Sequence, residues 1–193
     1  VIRFFVAEGG LALKQKREVR AWLNAVLLGA DFEGANLNYI LCGDEYINQL
    51  NTRYLKHNTY TDIITFPCTS NDITLKKQIN GECYISTERV AENARNLGVT
   101  YWEELHRVMV HGLLHLMGQD DKTREEQAKM RQKENDALRI RKFHVEQPDS
   151  GVASALKRTG REKDGGARSG EADNLMFHVE HGLARGGLTN DIG

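Results

Sequence analysis

Apolar positions along the chain change their period several times, and each change marks an element. Residues 2–7, IRFFVA, are rich in aromatic and β-branched side chains and predict a short strand. From Lys14 the spacing becomes three and four: Val19, Trp22, Leu23, Val26 and Leu27 predict an amphipathic helix that stops at Gly29. Residues 36–42, NLNYILC, alternate Leu37, Tyr39 and Leu41 and then meet Gly43, which reads as a strand. Asp44 is placed to cap a helix whose apolar face is Ile47, Leu50 and Tyr54, with Tyr46 beside it. A polar turn, HNTYT, leads to a strand at Asp62–Phe66, with Pro67 ending it or setting it near an edge. The run TSNDITLKKQING predicts a hairpin or loose edge strand, and Glu82–Ser86 another strand.

Helical spacing then dominates. Thr87 is placed to cap a helix with Val90, Ala94 and Leu97 inward, closed by Gly98. Thr100 followed by Glu103 is a capping box opening YWEELHRVMVHGLLHLM, whose core contacts are Leu105, Val108, Met109 and Leu113. Gly118 stops that helix. Thr123 with Glu126 is a second box, and the last helix runs to about Ile140. About four strands and five helices predict a single compact α+β domain with a mixed sheet and a central helix near residues 101–117. The order is not a regular βαβ repeat, so no doubly wound sheet is expected.

Composition narrows the picture. The chain has 193 residues with a formal net charge of −1, so no overall field draws a polyanion. Three cysteines, Cys42, Cys68 and Cys83, without a CxxC pair suit a reducing compartment, and the cytoplasm is the expected location. No stretch reaches eighteen apolar residues, and the opening VIRFFVAEGG reads as a strand rather than a signal peptide. Composition changes near residue 143. Residues 1–143 read as the domain and 144–193 as a Gly-rich tail holding nine of the 18 glycines, with disorder expected after about residue 147. FHVE occurs at Phe143–Glu146 and again at Phe177–Glu180; it reads as a translated nucleotide repeat or extended frame, so His144, His178 and His181 are not taken as ligands.

The segment that carries chemistry is HGLLHLMGQDD, residues 111–121. His111 and His115 are four apart on a predicted helix, so their imidazoles project from one face. Gly118 sits where the chain must turn back, and the turn can bring Asp121 to the same point. Two nitrogens and one oxygen make a set that zinc accepts while keeping a fourth position open. The competing reading is that the histidines are satisfied core residues and that Asp120 and Asp121 merely precede a helix cap. Position 112 is Gly, where an HExxH peptidase has its catalytic Glu, so a metallopeptidase is disfavoured. Phosphodiester cleavage asks less of the motif: whether a 2′-hydroxyl or a water attacks, charge on the phosphoryl oxygens must be neutralised.

This run resembles the signature of the YbeY family, bacterial rRNA maturation factors and endoribonucleases. Leu50-Asn51, then TDIITFP (61–67) and GECYIS (81–86), resemble the family's other blocks in the right order, so the likeness spans about residues 1–142. The resemblance implies a metal-dependent endoribonuclease specific for single strands, acting in 16S rRNA 3′-end maturation and ribosome quality control. Its implied partners are single-stranded rRNA and the 30S subunit or its assembly proteins, with no DNA and no membrane. The implied cofactor is one Zn²⁺, normally held by three histidines. His111 and His115 match the first two ligands; the third position is Asp121, and Asp120 matches the Asp before it. His106, on another face of the helix, is not recruited.

An Arg that the family often places at the cleft is Leu55 here, in LNTRYL. Arg53 should point elsewhere, which leaves Lys56 or Arg107 to contact a phosphate. Asp62 and Thr65 fall in a resembling block and are candidates to orient a ligand through its second nitrogen. Trp22 and Trp102 read as packing. Lys14, Lys16, Arg17 and Arg20 form a basic group that either tracks an RNA backbone or lines a solvated face. The alternative function is a ribosome-associated assembly factor whose zinc is mainly structural.

Overall fold

The computed structural model describes residues 1–55, 61–68 and 77–142. Four strands, β1 (Ile2–Val6), β2 (Gly34–Cys42), β3 (Ile63–Pro67) and β4 (Gln78–Ser86), form one sheet in the order β1-β2-β4-β3. β1, β2 and β4 run parallel, and β3 lies antiparallel on β4 as an edge strand. The sheet is therefore mixed, and Pro67 sits on the edge that a residue without an N–H tolerates. Among the described residues, five α-helices complete a compact α+β domain: α1 (Lys16–Gly29), α2 (Asp44–Leu50), α3 (Thr87–Leu97), α4 (Tyr101–Leu116) and α5 (Arg124–Arg141).

Strand alternation decides which face each helix covers. Ile2, Phe4, Leu37, Tyr39, Leu41, Cys83, Ile85 and Ile63 share one face in register, and all are buried. α1 packs against β1 and β2, while α4 lies on β3 and β4 with α3 and α5 beside it. Two polar bonds pin this layer. Tyr39 Oη donates to the Met109 carbonyl at 2.9 Å, and Trp22 Nε1 donates to the Ala137 carbonyl at 2.7 Å. Trp22 is thus a core residue, and Trp102 is half-buried. On the other face, Ile47 of α2 packs with Cys42, Ile64 and Phe66.

Both capping boxes form. Thr100 and Glu103 exchange bonds at the start of α4, and Thr123 and Glu126 do so at α5. Several boundaries differ from the sequence reading. Ser86, not Thr87, caps α3 by accepting from the Arg89 N–H; Thr87 is already helical. Gly43 stands at the cap of α2, and Asp44, one residue inside, instead accepts from Ser86 Oγ and Arg89. Helix α2 widens into a π-helical turn at Asn51–Leu55, where Tyr54 keeps its ring edge-on to Phe66 while remaining 52% exposed. β4 begins at Gln78 rather than Glu82, because pairing with β2 continues back to Gly34. Most of the expected hairpin (69–76), Lys56 and the 144–193 tail lie outside the described residues.

Candidate metal centre

Helix α4 carries Arg107, His111 and His115 at four-residue intervals on one face. Gly112, on the neighbouring face of the helix, lies close against the sheet. A Cβ there would stand 2.4 Å from Ile63 Cδ1 and 3.3 Å from both Cys83 Sγ and Thr65 Cγ2. Any larger residue here would have to displace the Ile63 side chain, so packing as well as sequence disfavours the catalytic Glu of an HExxH peptidase at this position.

The end of α4 explains how Asp121 returns. Gly118 adopts φ 86°, the left-handed region, with its N–H donating to the His115 carbonyl at 2.9 Å. Gln119 N–H donates to the Leu114 carbonyl at 2.9 Å, which completes a Schellman close. The chain reverses within one turn and enters α5 through the Thr123 box, with Asp121 held between the two helix ends.

Three donor atoms converge there. His111 Nε2 and His115 Nε2 stand 2.9 Å apart, with ring planes at 81°. Asp121 Oδ2 lies 3.9 Å from the first and 3.8 Å from the second. All three ligand atoms fall within 4.8 Å of one another. Ligands about 2.0–2.1 Å from a tetrahedral ion stand roughly 3.3 Å apart, so the observed spacing brackets what one zinc-sized cation requires.

Protonation agrees with that fit. His111 Nδ1 lies 2.7 Å from Glu134 Oε1, and a carboxylate only accepts, so Nδ1 donates that bond and the neutral ring would turn its Nε2 lone pair to the triad. Burial, and next the adjacent His111, lower the His115 pKa well below its ordinary value; Asp121 opposes the shift. His115 is therefore a neutral imidazole, the form that ligates. Two lone-pair nitrogens and a carboxylate oxygen make an electron-rich corner suited to a divalent cation. Burial is graded: the His111 side chain is 2% exposed and that of Asp121 17%, so the open side of the triad is the aspartate rim.

The other candidate residues take different places. Arg107 Nη1 donates to Glu134 Oε2 at 3.1 Å and to Asn135 Oδ1 at 3.0 Å, facing α5. Asp120 is exposed, near Lys122. Asp62 accepts from Asn93 Nδ2 at 3.1 Å and ties β3 to α3. Thr65 is buried with its methyl against the α4 backbone at Gly112. His106 is buried away from the triad, accepting from Arg141 Nη1 at 2.8 Å and lying edge-on to Trp22. Burial, and next Arg141, lower its pKa to about 3. In the basic group at and just before the start of α1, Lys14 lies over the Trp102 ring, Arg20 donates to the Ile2 carbonyl and Arg17 pairs with Glu18. The residue that sequence reading missed is Glu134. Its signal is faint: a lone acid in the buried stripe Met130, Glu134, Ala137, Arg141 of a helix that is otherwise charged.

Comparison with known proteins agrees with this geometry. A family model described as Endoribonuclease YbeY matches residues 10–141. The chain is 44% identical over 142 residues to the "Endoribonuclease YbeY" of Cytophaga hutchinsonii, covering 74% of this chain and 96% of that one. It is 42% identical over 143 residues to the protein of the same name from Christiangramia forsetii, covering 74% and 95%. In fold it is similar to the solution structure of TM1509 from Thermotoga maritima, with a TM-score of 0.52 at 26% identity over 74% of this chain and 90% of that one.

Proposed function

This chain belongs to the YbeY family, with a His-His-Asp cluster in place of three histidines, and from that premise we propose that it is a zinc-dependent endoribonuclease of single-stranded rRNA. Its work is 16S rRNA 3′-end maturation and ribosome quality control in the cytoplasm, with the 30S subunit or its assembly proteins as partners. The observation that carries the reading is the convergence of His111 Nε2, His115 Nε2 and Asp121 Oδ2 at the end of α4. When bound, zinc supplies a concentrated positive charge that neutralises phosphoryl oxygens and acidifies water.

The chain's own residues set the conditions for that chemistry. His111 and His115 would hold the ion from a rigid helix, which fixes its position relative to the substrate phosphate. Asp121 contributes a negative ligand and, at the rim, the side from which RNA approaches. Its charge makes the centre less electrophilic than a three-histidine site. Gly112 keeps α4 against β3 and β4, fixing the histidines relative to the sheet edge. Among the described residues, no helix is long and apolar enough to cross a membrane.

A single-stranded fragment spanning the 16S 3′ end, incubated with wild type and with His115→Ala, tests the reading. Wild type should cut the single strand and spare a duplex control, while His115→Ala loses at least about a hundredfold in rate. Equal cutting by both proteins would refute the assignment.

A further inference from the structure

The buried stripe of α5 contains a carboxylate, and burying a charge costs several kcal/mol unless it is paired. Glu134 is 3% exposed and both its oxygens are engaged, Oε1 with His111 Nδ1 and Oε2 with Arg107 Nη1. Glu134 and Arg107 are themselves outside the predicted ligand set, but His111 belongs to it. We infer that Glu134 is the positioning residue of the metal centre and Arg107 its counter-charge, so that α5 braces the site from the side opposite the substrate. This inference rests on the metal reading above and adds a role for residues beyond the three ligands.

Geometry gives the bond three effects. It selects the tautomer, because only the Nδ1–H form of neutral His111 leaves Nε2 free for a cation. It fixes ring rotation about χ2, a torsion that is otherwise broad. It makes Nε2 a stronger donor, since a carboxylate on the far nitrogen pushes electron density through the ring. Arg107 sits one turn before His111 on α4 and reaches the other oxygen, so the carboxylate is held from both directions. Arg107 also donates to Asn135, the next residue of α5, which sets the rotation of that helix against α4. The same helix begins at the Thr123 cap just after Asp121. One rigid element thus places a ligand at its entrance and the brace of another ligand deeper along its length. The residue first read as a phosphate contact, Arg107, has its guanidinium engaged in this brace.

The full chain carrying Glu134→Gln, Glu134→Ala or Arg107→Gln tests the inference through two readouts that need no RNA. Zinc affinity is measured by competition with a chromogenic chelator, and the His111 ring nitrogens are read by ¹⁵N NMR in the metal-free protein. Glutamine keeps an acceptor oxygen but no charge. Glu134→Gln should therefore hold the Nδ1–H tautomer and bind zinc about tenfold more weakly. Glu134→Ala should lose the single tautomer and weaken binding up to about a hundredfold. Arg107→Gln should fall between wild type and Glu134→Gln. If the alanine variant does not fold, the near-isosteric glutamine variant carries the test. Wild-type zinc affinity in Glu134→Gln, or an unchanged His111 tautomer in a folded Glu134→Ala, would overturn the inference. A wild-type chain that takes up no zinc would instead overturn the metal reading beneath it.

Discussion

Replacing Gly112 by alanine sets two large effects against each other. On an exposed helix face the change would stabilise by about 1 kcal/mol, because alanine loses less backbone freedom on folding. At this site the new methyl group would stand 2.4 Å from Ile63 Cδ1, well inside contact distance, and both residues lie in the core. Overpacking of that kind costs about 1–3 kcal/mol. The balance is a net loss of roughly 0–2 kcal/mol. The identity of the clashing atom sharpens the test. Ile63→Val deletes Cδ1 and alone costs about 0.5–1.5 kcal/mol. In the double variant the alanine methyl occupies the vacated space, and Cys83 Sγ and Thr65 Cγ2, each 3.3 Å away, need give only a few tenths of an ångström. The double variant should lie within about 1 kcal/mol of wild type, with a favourable coupling of about 1–3 kcal/mol. Urea unfolding of the four metal-free proteins measures this cycle. A Gly112→Ala protein more stable than wild type by about 1 kcal/mol, or additivity within about 0.5 kcal/mol, would refute the close approach of α4 to the sheet.

Two further outcomes follow from buried titratable groups. His106 titrates near 3 in the fold, below its ordinary value, because burial and then Arg141 disfavour its charged form. Its contribution is full above about pH 6.5 and falls by up to about 1.4 kcal/mol per pH unit as acid is added towards 3. His106→Gln should flatten the stability profile over that window, and identical slopes would contradict the assignment. Burial pushes the Cys42 thiol up to about 12 and Cys83 further, whereas Cys68 is exposed. An aromatic disulfide reagent at pH 8 should therefore label one thiol rapidly in the native chain and all three in denaturant. Three equally fast thiols would mean that β2 and β4 are not buried as described.

What the sequence disclosed and what it concealed follow from the range of the interactions. Thr100 with Glu103 and Thr123 with Glu126 are local pairs, so their boxes were legible before any fold was known. The metal corner was legible for the same reason: His111, His115, Gly118 and Asp121 lie within three turns of one chain segment. Glu134 reaches His111 across a helix–helix interface, and nothing local distinguishes it from the acids around it in α5. Arg107 reads from sequence as a candidate phosphate contact because its two acceptors lie on that same distant helix. The tight seat of Gly112 depends on Ile63, brought near only by sheet pairing. The cap of α3 moved by one residue because Ser86 and Thr87 are chemically equivalent caps and strand pairing chose between them.

The central claim is that one divalent ion is held by His111, His115 and Asp121, and elemental analysis of the purified full chain tests it most directly. Wild type should retain about one equivalent of zinc per chain through gel filtration, and His115→Ala should retain almost none while keeping its fold by circular dichroism. A wild-type chain without metal, or a His115→Ala chain loaded as fully as wild type, would contradict the account.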